Sequence, residues 1–227
     1  MCCSAARPAN PADQVIRAFA GVAQRLHQRM TQRWVRRFVH TVEEYVEGTL
    51  WEAHNRAHGV TPDLATYLRM RPLAGALFPY FQFADLSEGI ALPIDVRKHP
   101  AVARLSAMAA NVVVWSNDLF SLEKELRHHH MHNLAVVLQR ERQLDLQAAI
   151  DQAAELHNAE VRSFIELEMQ LPSFGPALDQ ALQRYVGVLR SWMRANLDWS
   201  FETGRYQPQQ TSALDAIHTT PGLTPVA

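Results

Sequence analysis

The chain has 227 residues and 25.7 kDa, with 22 basic and 23 acidic side chains and a formal net charge of −1. Near-neutral charge argues against a nucleic-acid binder, and a hydrophobic share of 48% is enough to fill a core. Both cysteines, Cys2 and Cys3, stand at the extreme N-terminus, which excludes a disulfide framework and a cysteine-rich zinc site.

In chain order, Val15 to Met30 carries apolar residues at Val15, Phe19, Val22 and Leu26, and Arg33 to His58 continues the helical spacing through Val35, Phe38, Val42, Tyr45 or Val46, Thr49 and Ala53. Thr61-Pro62-Asp63 predicts an N-cap with proline at N1, and the helix it starts is expected to break at Gly75, because an apolar run with Pro79 inside it follows. Pro100 predicts the start of a long helix to Arg127. It is apolar nearly all round between Val102 and Trp115, which places it in the middle of a bundle. Leu144 to Leu171 and Pro176 to Thr203 complete the set. No run shows strand alternation with hairpin punctuation, so the fold class is all-α.

The longest uncharged stretches, Pro72 to Ala84 and Leu105 to Asn117, have 13 residues each, short of the roughly 20 that a spanning helix needs. With no basic-then-apolar leader at the start, the chain reads as a soluble cytoplasmic protein. Residues 1–12 and 207–227, rich in Pro, Ser, Thr and Ala, read as loose ends around a domain at 13–206.

The segment that points to chemistry is Asn117-Asp118-Leu119-Phe120-Ser121-Leu122-Glu123-Lys124-Glu125. Asn117, Ser121 and Glu125 recur every fourth residue and share one helix face. An amide oxygen, a hydroxyl and a carboxylate suit a hard cation such as Mg²⁺ rather than zinc, and a single carboxylate leaves substrate phosphates to complete the shell. A solvated face is the bland explanation of that spacing. The polar triplet, however, continues directly from the most apolar helix in the chain. His128, His129, His130 and His132 cluster behind it and read as a polar helix end more readily than as a transition-metal site.

Asn117-Asp118-x-x-Ser121-x-x-Lys124-Glu125 resembles the second metal-binding motif of bacterial class I terpene synthases. Val114-Trp115-Ser116 before it, His132-Asn133-Leu134 after it, the stretch Trp51-Glu52 with Asn55-Arg56, and the ending Trp199, Glu202-Thr203-Gly204-Arg205-Tyr206 resemble the same family. The resemblance spans about residues 13–207 and implies a class I terpene synthase-like helical bundle. In such an enzyme Mg²⁺, held by Asn117, Ser121 and Glu125, helps to pull diphosphate off an acyclic prenyl diphosphate, farnesyl diphosphate being the commonest substrate, and the cation then cyclises. It further implies that Arg71, 46 residues before Asn117, senses the diphosphate. Gly75 would be the helix-break residue whose carbonyl faces it, Lys124, Arg205 and Tyr206 would bind it, and Trp199 would face the cation. Phe78, Tyr80, Phe81 and Phe83 read as core. Homodimers are frequent in that family, which makes a homodimer a candidate assembly.

The family's Asp-rich motif has no counterpart here. No two aspartates are adjacent, and Glu43-Glu44-Tyr45-Val46-Glu47, on the helix that carries Trp51-Glu52, reads as a solvated face. The chain is therefore expected to correspond to the C-terminal portion of a synthase, without the N-terminal helices that carry that motif. The alternative is a truncated, inactive remnant or a module that only binds prenyl diphosphate.

Overall fold

The computed structural model describes residues 11–128 and 131–206. The expected loose ends at 1–10 and 207–227, and His129 and His130, lie outside the described residues. Among those described there are ten α-helices and no strand. Packing divides the chain into two units, Met1–Thr41 and Val42–Ala227.

The first unit holds α1 (Pro11–Arg29) and the start of α2 (Gln32–His58). Thr31 caps α2, its hydroxyl accepting the N–H of Trp34 at 3.2 Å, and Trp34 stacks on Phe38 with ring centroids 5.3 Å apart. The apolar stripe of α1 is present, but only Leu26 of its four expected members is buried; Val15, Phe19 and Val22 are exposed.

The second unit begins within α2 and continues through α3 (Leu64–Ala74), α4 (Leu77–Gln82), α5 (Ala84–Ser87) and α6 (Ile94–Lys98) to the long α7 (Pro100–Arg127). It ends with α8 (Leu134–Arg142), α9 (Leu146–Met169) and α10 (Pro176–Glu202). Helix α7 is the hub, packing on α3, α4, α6, α8, α9 and α10. Its residues Val112 to Trp115 are all buried, as the all-round apolar pattern predicts. Pro100 occupies its first turn, where a missing N–H costs nothing.

Three local features differ from the expectation. Helix α3 is capped by Asp63, which accepts the N–H of Thr66 at 2.8 Å, while Thr61 accepts from Arg140 at 2.7 Å; Pro62 is therefore outside the helix rather than at N1. Helix α8 has no helical stripe to announce it, since Leu134 to Leu138 are all buried. Tyr80 is exposed against Trp192, so of the four aromatics around α4 only Phe81 is fully in the core.

The break between α3 and α4 is where expected, but glycine serves it differently. Gly75 has an ordinary right-handed backbone, φ −77°, and the left-handed residue is Ala76, φ 60°. What Gly75 supplies is room: a Cβ there would stand 2.5 Å from the Val114 side chain on α7. Gly48 does the same from α2, where a Cβ would stand 2.5 Å from the backbone nitrogen of Ala74. The break is thus gripped on two sides by residues without side chains. Ala76 bears a left-handed cost of roughly 1–2 kcal/mol. Ala76→Gly is therefore expected to raise stability by about 1 kcal/mol, measured as a shift in the urea midpoint at unchanged slope.

Candidate functional site: a polar ridge on α7

Asn117, Ser121 and Glu125 lie along one ridge of α7, and the structure joins them. The Ser121 hydroxyl is 2.7 Å from the backbone carbonyl oxygen of Asn117 and 2.7 Å from Glu125 Oε1, and its one proton serves either acceptor. Asn117 reaches outward from the other end. Its Oδ1 accepts from Arg71 Nη2 at 3.1 Å, and its Nδ2 donates to the Tyr206 hydroxyl at 2.7 Å. Arginine only donates, so this orientation of the amide is forced.

Arg71 is held by Asp118, which is wholly buried. Nε and Nη2 of Arg71 both donate to Asp118 Oδ1, at 2.9 and 2.7 Å. Asp118 Oδ2 accepts the Tyr67 hydroxyl and, at 3.2 Å, the backbone N–H of Leu134. One carboxylate thereby ties α3, α7 and the start of α8 together. Three N–H groups of Arg71 are used in this way, and the two on Nη1 are left for a ligand. Burial alone would discourage the guanidinium charge, but the Asp118 carboxylate outweighs it and Arg71 stays charged. Burial raises Asp118 and Arg71 opposes it; burial, with the Asp118 charge, also lifts the Tyr67 hydroxyl well above the usual phenol range.

The segment that follows α10 packs onto this ridge. Tyr206 packs on Phe120 with ring centroids 6.0 Å apart and edge-on against Trp199 at 5.9 Å, and the Arg205 guanidinium lies 5.6 Å from the Tyr206 ring. Arg205 is exposed. Lys124, seven residues after Asn117, returns to within about 20° of its direction and is exposed at the outer part of the same face. Trp199 is 45% exposed, with its ring edge-on to Tyr206.

The donor set fits a hard cation: two neutral oxygens and one carboxylate on successive turns. Glu125 is lifted to about 7 by burial and by the charge of Asp118, against hydrogen bonds from Asn133 and Ser121. A carboxyl raised in the folded state adds stability that is present below its ordinary value of 4.5 and lost as pH rises through about 7. Glu125→Gln can keep both contacts, donating to Ser121 and accepting from Asn133, and removes this dependence. In chelator, the wild type is expected to lose of the order of 1–3 kcal/mol between pH 5 and pH 8 relative to Glu125→Gln, read from urea midpoints at the two pH values.

Tyr67, Asp118 and Asn133 are site residues to which the sequence reading assigns no role. The signals they leave in the chain are the fourfold spacing of Tyr67 and Arg71, the family-like stretches that contain Asp118 and Asn133, and Asn133 as a capping residue before the apolar run of α8. Of the histidine cluster, His128 caps the end of α7 and His132 is half-buried against Trp51, centroids 4.7 Å apart. Among the described residues no three His, Cys, Asp or Glu side chains gather as a metal site. A separate cleft, bordered by Glu52, Asn55, Arg56 and His132, includes none of the ridge residues. No described helix is long and apolar enough to cross a membrane.

Comparison with known proteins identifies the family of the chain. The family described as "Terpene synthase family 2, C-terminal metal binding" matches residues 2–163. The (+)-T-muurolol synthase of Roseiflexus castenholzii, named as cyclizing (2E,6E)-farnesyl diphosphate, is 40% identical over 195 residues, covering 86% of this chain and 60% of the relative. The 10-epi-cubebol synthase of Sorangium cellulosum is 36% identical over 189 residues, 83% of this chain and 60% of its own. Among solved structures, the linalool/nerolidol synthase from Streptomyces clavuligerus, in complex with 2-fluorogeranyl diphosphate, superposes with a TM-score of 0.77 at 29% identity, over 87% of this chain and 68% of that one. The chain thus spans about three-fifths of the length of these curated relatives. With the matched region, the identities and the helical fold in agreement, this chain belongs to the terpene synthase family.

Proposed function

We propose that the protein is a class I terpene synthase that binds an acyclic prenyl diphosphate with Mg²⁺, releases diphosphate and forms a cyclic terpene, with farnesyl diphosphate as the substrate. The observation that carries this reading is the hydrogen-bonded chain from Arg71 through Asn117 to Tyr206, which sets phosphate donors beside a row of oxygen ligands. Asn117, Ser121 and Glu125 would hold one Mg²⁺, which when bound supplies positive charge opposite the departing diphosphate.

The chain's own groups are suited to the rest. Arg71 is fixed at Nε and Nη2 and offers the two protons of Nη1 to phosphate oxygens. The Tyr206 hydroxyl accepts from Asn117, so its own proton is available to donate. Lys124 and Arg205 add mobile charge from the exposed side, and Gly75 lets the α3–α4 break approach α7 closely. Donors fixed before the substrate arrives need no reorganisation as charge develops on the leaving group. Support for farnesyl diphosphate comes from the substrate named for the Roseiflexus relative.

Incubation with Mg²⁺ and geranyl, farnesyl or geranylgeranyl diphosphate, followed by gas chromatography and mass spectrometry, tests the reading. A cyclic terpene from the farnesyl substrate, lost in Asn117→Ala, is expected. Neither terpene nor free diphosphate from any of the three overturns it.

A further inference from the structure

We infer that Asn133 is a positioning residue that fixes the metal-facing carboxylate of Glu125 from outside its helix; the inference rests on the reading of the ridge as a metal and diphosphate site. Asn133 is wholly buried, and every hydrogen-bonding group of its side chain is engaged. One Nδ2 proton goes to the backbone oxygen of Asp118 at 2.6 Å, and the other to Glu125 Oε2 at 3.0 Å. Oδ1 accepts the N–H of Ala135 at 3.0 Å and so caps α8.

Glu125 stands in the last turn of α7, where a long side chain on a fraying helix end would sample several rotamers. Ser121 holds Oε1 from within the helix, and Asn133 holds Oε2 from the turn that follows, so the carboxylate plane is set at both oxygens. The same turn supplies the Leu134 N–H to Asp118, the residue that carries Arg71. Two residues in sequence, Asn133 and Leu134, thereby set the metal arm and the diphosphate arm relative to each other. Outer partners of metal ligands act in this manner, and their loss typically weakens metal binding by about 10–100-fold.

The test uses Mn²⁺ as the probe, titrated into the full chain with inorganic diphosphate and followed by electron paramagnetic resonance. Asn133→Ser and Asn133→Asp both keep an oxygen to cap α8; serine withdraws its one donor by a bond length from Glu125 and aspartate has no donor. Each is expected to bind Mn²⁺ about 10–100-fold more weakly. Diphosphate binding without metal, which runs through Arg71, is expected to stay within about twofold; a loss of helix structure alone would not separate the two. In the unaltered chain the Asn133 side-chain amide protons are expected to be protected from exchange and to shift on addition of Mg²⁺. Wild-type Mn²⁺ affinity in either folded variant, or an unprotected and unmoved Asn133 amide, overturns the inference. If Glu125→Gln weakens Mn²⁺ binding while the Asn133 variants do not, only the role of Asn133 falls. If the wild type binds no Mn²⁺, or Glu125→Gln binds it equally, the metal-site reading falls and Asn133 with it.

Discussion

Asp118→Ala is expected to destabilise the protein by about 3–5 kcal/mol, because it leaves the Arg71 charge and the Tyr67 hydroxyl buried without their acceptor. That is a large part of the 5–15 kcal/mol typical of a domain, so the variant should unfold at much lower urea. The pairing penalty can be told apart from simple loss of volume. Replacing both partners, Asp118→Leu with Arg71→Met, removes the buried charges together and should recover most of the lost stability, since apolar replacement of a buried ion pair is often neutral or favourable. The double variant should still fail to bind diphosphate. If Asp118→Ala costs under 1 kcal/mol, the description of Asp118 as the anchor of Arg71 is wrong.

Arg71→Lys is the second large effect, and it acts on binding. Arg71 bonds Asp118 twice and Asn117 once, which leaves the two Nη1 protons for the proposed diphosphate. A lysine ammonium has three donors on a single nitrogen and cannot face both ways. Two charged hydrogen bonds to the ligand are lost or mispointed, and inorganic diphosphate should bind about 10–100-fold more weakly. Calorimetric titration checks this; unchanged affinity in Arg71→Lys would remove Arg71 from the site.

How far these features can be read from the chain depends on how local they are. Helix α7 is legible because Pro100 marks its first turn and a stretch apolar nearly all round follows, and the ridge is legible because fourfold spacing on a helix has one geometric meaning. The meeting of Arg71 and Tyr206 with Asn117 comes from family resemblance, since the residues lie 46 and 89 positions away. What stays hidden is set by packing between helices. Asp118 looks like one more polar residue until Tyr67 and Arg71 are seen to converge on it from α3. Gly75 suggests backbone freedom, whereas the structure gives it an ordinary φ and needs its missing side chain for the approach of Val114. The left-handed turn falls on Ala76, against local preference, because the grip on the α3–α4 break overrides it. Helix α8 is buried along Leu134 to Leu138, so its apolar run carries no period that would separate helix from strand.

The central claim is that the Arg71, Asn117, Tyr206 cluster and the Ser121, Glu125 pair form one site for diphosphate and a hard divalent cation. Its most direct test is the affinity of the chain for inorganic diphosphate, measured by calorimetry in Mg²⁺ and in chelator, for the wild type and for Asn117→Ala. The account predicts that Mg²⁺ tightens binding by at least about tenfold in the wild type and by far less in Asn117→Ala. Equal affinity with and without Mg²⁺ in the wild type would contradict it.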